Sequence, residues 1–178
     1  MMISVDGYFE GTHRQLDWHN VDAEFNTFAV QQLAEADLLL FGRKTYDLMA
    51  SYWPTGQGKA DDSMVAERMN TTKKIVFSRT VTEIHWQNTE LRTSVNPNEI
   101  KKLKEQSGKN IAILGSSNLC ISFLEAGLLD EIRVMINPLV LGEGHTFLTG
   151  LHKKVSLLLT ETKTFKSGNV LLYYKVIK

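Results

Sequence analysis

The chain has a single cysteine, Cys120, so no disulfide can form within it and a reducing compartment is the default expectation. Three prolines in 178 residues leave no proline-rich linker. No apolar run approaches the about 20 residues of a membrane-spanning helix. The opening MMISVDGYF has neither the basic region nor the long apolar stretch of a secretory signal. These absences point to the cytoplasm. Excess charge is missing too: 20 basic and 20 acidic side chains give a formal net charge of zero. That balance offers no long-range attraction to nucleic acid or anionic lipid, so the expected partner is a small molecule and any anion site must be local. The five histidines show no metal-ligand spacing, so no metal is expected. No GxSxG nucleophile motif occurs.

What is present suits one globular domain spanning residues 1–178, with 43% hydrophobic and 22% charged residues. Residues 1–5 read as a strand, followed by a long polar loop. Residues 22–35 carry Phe25, Phe28, Ala29 and Leu33 at helical spacing, with Asp22 as a cap. The run Leu38-Leu39-Leu40-Phe41, stopped by Gly42, suits a strand covered on both faces. A short helix is expected at 45–50, a loop around Pro54, Gly56 and Gly58, and a second helix at 62–70. Strands at 74–78 and 89–93 precede a helix opened by Asn96-Pro97. A buried strand at 111–114 leads to a helix at 118–126 closed by Gly127. A strand at 131–137 and a hairpin of 155–165 with 169–177 complete the chain. The alternation predicts an α/β fold: a three-layer α/β/α arrangement with a mostly parallel sheet and an antiparallel C-terminal hairpin. Its ligand is expected at the carboxyl ends of the strands.

Three strand ends carry residues suited to phosphate. In Phe41-Gly42-Arg43-Lys44-Thr45-Tyr46 the glycine admits close backbone approach, the next helix opens with N–H groups, and two cations and a hydroxyl follow. Ser78 and Arg79 come directly after a buried strand, and an arginine there suits the 2′-phosphate of NADP. In Leu114-Gly115-Ser116-Ser117-Asn118 a glycine and small hydroxyl residues precede a helix, where N–H groups and the helix dipole cradle a pyrophosphate. Taken singly, each also reads as a solvated turn or an ordinary helix cap. Three of them at equivalent ends of successive strands point to one phosphate-binding edge.

In order, these segments resemble the dihydrofolate reductase superfamily. Gly42-Arg43-Lys44-Thr45-Tyr46 is similar to that family's helix-start motif, Ile75-Val76-Phe77-Ser78-Arg79 to its adenosine-phosphate loop, and Ile113-Leu114-Gly115-Ser116-Ser117 to its paired-glycine turn, with Ser116 in place of the second glycine. Ser4-Val5-Asp6-Gly7-Tyr8-Phe9, Leu16-Asp17-Trp18, Leu128-Leu129-Asp130-Glu131-Ile132 and Pro138-Leu139-Val140-Leu141-Gly142-Glu143-Gly144 resemble the C-terminal reductase domain of bacterial riboflavin biosynthesis and its small stand-alone relatives. The resemblance implies an NADPH-dependent reductase acting on a small pyrimidinone- or pterin-like heterocycle. It implies that Gly42, Arg43, Lys44, Thr45, Ser78, Arg79, Gly115, Ser116, Ser117 and Asn118 hold the cofactor. A rival reading keeps the fold with lost or altered chemistry, as a ligand-binding or regulatory protein.

On the substrate side the resemblance implies Asp6, Asp22 and Glu24 as catalytic candidates and Trp18 and Phe25 as substrate contacts. Asp6 reads equally as a turn aspartate before Gly7. Phe25, at helical spacing with Phe28, reads also as core, and Trp18 as a loop anchor. Dihydrofolate reductases carry an acidic residue on the first helix, and counting back from Gly42 puts Asn26 there, which counts against folate itself as substrate. The resemblance further implies a homodimer paired through sheet edges and the tail hairpin, where Leu157-Leu158-Leu159 and Leu171-Leu172-Tyr173-Tyr174 need cover.

Overall fold

The structure, a computed structural model, describes residues 1–106 and 108–178. The α/β fold expected from the alternating periods is present, with parallel strands in the middle of the chain and an antiparallel hairpin at its end. Two compact units divide the residues: 25–119 form one, and 1–24 with 120–178 form the other.

The middle unit is built on a four-stranded sheet in the order β5 (Thr89–Arg92), β4 (Lys73–Phe77), β3 (Ala36–Gly42), β6 (Asn110–Ile113), with every pair parallel. The continuous apolar run makes β3 an inner strand: Leu39, Leu40 and Phe41 are fully buried. A strand buried on both faces has no polar face to alternate with, which is why the run is unbroken. Its neighbours fix the register, Leu40 lying beside Ile75 of β4 and Ile113 of β6. The core adds Leu33 of α1 (Ala23–Ala34), Tyr46 of α2 (Arg43–Tyr52), Met69 of α4 (Ser63–Thr71) and Trp86. Helix starts follow the sequence: Asp62 Oδ1 accepts from Met64 N and Val65 N to open α4, and Asn96 Oδ1 accepts from Asn98 N and Glu99 N to open α5 (Pro97–Glu105).

Two features of this unit differ from expectation. The segment with Gly56 and Gly58 forms a short helix, α3 (Gly56–Asp61), capped by Thr55. Gly58 is there because a Cβ would come within 2.5 Å of the Tyr52 carbonyl oxygen, so the residue marks close packing instead of a loop. Lys74, read as one more strand residue, is fully buried and lays its ammonium over the Trp86 ring, 4.6 Å from the centroid. Its Nζ donates to the carbonyls of Met69, Asn70 and Thr72 at 2.8, 3.3 and 2.7 Å, using all three N–H bonds at the end of α4.

The other unit holds a four-stranded sheet in the order β1 (Met2–Ile3), β7 (Glu131–Ile136), β10 (Val170–Ile177), β9 (Ser156–Thr164). β1 runs parallel to β7, and β10 pairs antiparallel with both β7 and β9. A two-stranded ribbon of β2 (Tyr8–Glu10) and β8 (His145–Thr146) lies where the sequence predicts loop. α6 (Ser117–Glu125) ends at Gly127, φ +65°, with Leu128 N donating to Phe123 O at 2.8 Å. Cys120 on this helix is buried, and burial pushes its thiol up to about 11, which makes it an inert core residue.

Candidate functional site

Three of the strand ends singled out in the sequence belong to neighbouring strands of the parallel sheet. Because β4, β3 and β6 lie side by side and run the same way, the turns after them open at one end of that sheet. There the middle unit gathers Gly42 to Thr45, Ser78 and Arg79, and Gly115 to Asn118.

After β3 the chain enters α2 at Arg43, two residues earlier than the helix expected from the sequence. Gly42 is the N-cap and gives no side-chain cap, so the N–H groups of the first turn have no intrahelical partner and none from a capping side chain. Arg43 and Lys44 are exposed. Arg43 makes a 3.5 Å pair with Asp47 one turn on, each side chain about half exposed; such a surface pair is weak and readily exchanged for a phosphate. A Cβ on Gly42 would sit 3.3 Å from Ser116 Oγ, and one on Gly115, at φ +62°, would meet Thr45 Cγ2 at 3.2 Å. The two turns thus approach each other through glycine positions. Ser116 Oγ donates to Thr45 Oγ1 at 2.8 Å and accepts from Gly42 N at 2.8 Å.

After β4, Ser78 is buried and its hydroxyl accepts from Thr80 N at 3.1 Å and Val81 N at 3.0 Å. That hydroxyl shapes the turn, and it is the turn that presents the exposed guanidinium of Arg79. After β6, Ser117 is buried and Asn118 exposed. The arrangement offers uncapped N–H groups and three exposed cations, a set that fits the phosphates of a dinucleotide. Among the described residues no group of His, Cys, Asp and Glu is placed to hold a metal ion.

The remaining candidates, apart from Phe25, lie in the other unit. Asp6 is exposed, and both its oxygens are engaged: Oδ1 accepts from Leu141 N at 3.1 Å and Oδ2 from Gly142 N at 2.8 Å. The Ser4 hydroxyl, then those two backbone donors, hold its carboxyl down to about 2. Through these two bonds Asp6 clips the 139–142 loop to the end of β1. Glu24 Oε2 accepts from Lys166 N at 2.9 Å and so ties the start of α1 to the hairpin turn. Asp22 is half-buried at the same helix start. Trp18 donates from its indole N–H to Gln15 O at 3.2 Å and packs edge-on against His19, as a loop anchor does. Phe25, in the middle unit, is half-buried with its ring 6.3 Å from that of Phe28, which belongs to the core.

A buried asparagine network went unread in the sequence. Asn20 N donates to Asn137 Oδ1, Asn20 Nδ2 to Ser167 O, and Asn169 Nδ2 to Asn20 O, all within 2.8–2.9 Å. Asn137 and Asn169 have no exposed surface. Together they hold the loop before α1 against the ends of β7 and the hairpin. Nothing in the residue types announces this, since asparagines between strands read as turn formers.

Residues 1–173 match the family described as the RibD C-terminal domain. The chain is 34% identical over 176 residues to a Bacillus subtilis (strain 168) protein named uncharacterized protein YyaP, covering 98% of this chain and 91% of that one. It is similar in structure to a putative riboflavin biosynthesis protein from Shewanella sp. PV-4, with a TM-score of 0.75 at 22% identity, covering 100% and 97% of the two chains. It is also similar to a pyrimidine reductase-like protein from Corynebacterium diphtheriae, with a TM-score of 0.65 at 16% identity, covering 99% and 90%. At these identities the two structures speak for the fold.

Proposed function

Because the chain belongs to the RibD C-terminal domain family, we propose that it is an NADPH-dependent reductase of a small pyrimidinone- or pterin-like heterocycle. Bound NADPH would supply the hydride for a C=N or C=O bond. The observation that carries this reading is the single edge formed by the turns after β3, β4 and β6, with its uncapped helix start and exposed cations. Arg79, with Arg43 and Lys44, would hold the adenosine phosphates, and the turn from Gly115 to Asn118 the pyrophosphate. Asp6, Trp18, Asp22, Glu24 and Phe25 are the substrate-side residues, with Asp6 acting as an ionised clip.

The test is calorimetric titration with NADPH and, in parallel, NADH. Micromolar NADPH binding with much weaker NADH binding is expected. Arg79→Ala should weaken NADPH about tenfold and leave NADH nearly unchanged, because an arginine–phosphate contact exists only with the former. Binding of neither cofactor removes the reductase reading, and equal losses for both remove Arg79 from the 2′-phosphate.

One observation favours a second reading, a ligand-binding protein with altered chemistry. A count back from Gly42 puts Asn26 where dihydrofolate reductases carry their helix acid. NADPH binding without oxidation by any pyrimidinone or pterin would select it.

The proposal includes a cytoplasmic homodimer. It is supported by the lone buried thiol and by β9, a free sheet edge whose Leu157, Leu158 and Leu159 are about half exposed. Sedimentation at micromolar concentration should give twice the chain mass, and the monomer mass alone would refute it.

A further inference from the structure

Ser116 stands out among the residues of the phosphate edge. It has a side chain yet sits at φ +60°, directly after Gly115 at +62°. That left-handed region disfavours any L residue with a Cβ, and a side chain held there is over-determined by its surroundings. Here one oxygen does the holding. Ser116 Oγ donates to the Thr45 hydroxyl and accepts from Gly42 N, each at 2.8 Å, and so bridges the end of β3 to the turn after β6.

The bridge has two consequences. It fastens the two turns to each other before any ligand arrives. It also engages the Gly42 N–H inside the protein, while Thr45 only accepts from Ser116 and keeps its own O–H as a donor. The donors left at that pole are the Thr45 hydroxyl and the first-turn N–H groups, which no side chain caps.

We propose that Ser116 is a positioning residue of the cofactor site: its hydroxyl latches the turn after β3 to the turn after β6, so that the diphosphate meets a preassembled turn. The inference rests on the NADPH reading above. Preassembly removes an ordering cost that binding would otherwise bear. A glycine at 116 relieves the backbone and opens the latch, so stability and affinity should part company.

The test titrates the full chain calorimetrically with NADP+ and with 2′-AMP, which carries the 2′-phosphate but no diphosphate, and records melting temperatures. Ser116→Gly should weaken NADP+ about tenfold, leave 2′-AMP unchanged, and keep or raise the melting temperature. Thr45→Val should weaken NADP+ alike, and the double variant should be no weaker than either single one, since both remove the same bridge. A wild-type protein that binds neither ligand overturns the NADPH reading and this inference with it. NADP+ binding that Ser116→Gly leaves unchanged overturns the latch alone. Weakening of both ligands together with a lower melting temperature would mark a general structural role and overturn the latch as well.

Discussion

β3 and β9 are both leucine-rich strands, and they meet opposite surroundings. β3 is paired on both edges, and Leu39, Leu40 and Phe41 are fully buried. β9 is paired on one edge, and Leu157, Leu158 and Leu159 are 41%, 55% and 48% exposed. A run of apolar residues therefore announces a strand without saying what covers it. For β3 the cover comes from this chain. For β9 the proposed cover is a second copy.

The contrast can be tested by substitution. Leu39→Ala leaves a cavity where no neighbour can collapse and should lower the unfolding free energy by about 3 kcal/mol in urea titration. Lys74→Met should cost about 2 kcal/mol, because it strips three buried carbonyls of their donor. The same variant sharpens the comparison through pH. Burial lowers the Lys74 amine from 10.5 to about 8. Between those values the unfolded chain keeps a proton that the folded one has released, so wild-type stability should rise with pH across that window. Lys74→Met should lack that rise when the two are unfolded side by side at pH 7.5 and 10. In the other unit Asp6 gives a rise of the same sign in a much more acidic window. Its carboxyl falls from 3.8 to about 2, so the stability it contributes is present above pH 3.8 and is lost as the pH drops toward 2. Asp6→Asn should flatten that acid limb in a pH-dependent thermal melt. The smallest effect is expected on β9: Leu158→Ala should shift stability by about 0.5 kcal/mol or less in dilute protein. A cost near that of Leu39→Ala would mean that β9 is covered even there.

Legibility in the sequence followed the range of the interactions. The buried run of β3, the caps at Asp62 and Asn96 and the closing Gly127 are local signals, and each marks its element within a residue or two. The ribbon of β2 with β8 carries no such signal: two and three residues long, it exists through pairing of Tyr8 with Thr146. The helix α3 was hidden because Gly58, needed for close packing, looks the same in a sequence as a glycine needed for a turn. At the site, glycines and hydroxyl residues after strands were enough to mark all three turns. They did not tell which hydroxyls are engaged within the protein. Ser78 spends its oxygen on Thr80 N and Val81 N, and Ser116 spends its own on Gly42 and Thr45, because those partners become neighbours only when the sheet is assembled.

The division of the chain into residues 25–119 and the two flanking segments also sets an order of assembly during synthesis. Every strand of the parallel sheet has been made once residue 113 leaves the ribosome. Met2 and Ile3, made before that sheet, must wait for Met135 and Ile136, and Asn20 for Ser167 and Asn169. Translation therefore completes the strands of the middle unit while residues 1–24 still lack their partners from 120–178. A segment made before the middle unit is thus fixed after it, and during that interval it is within reach of a protease or chaperone.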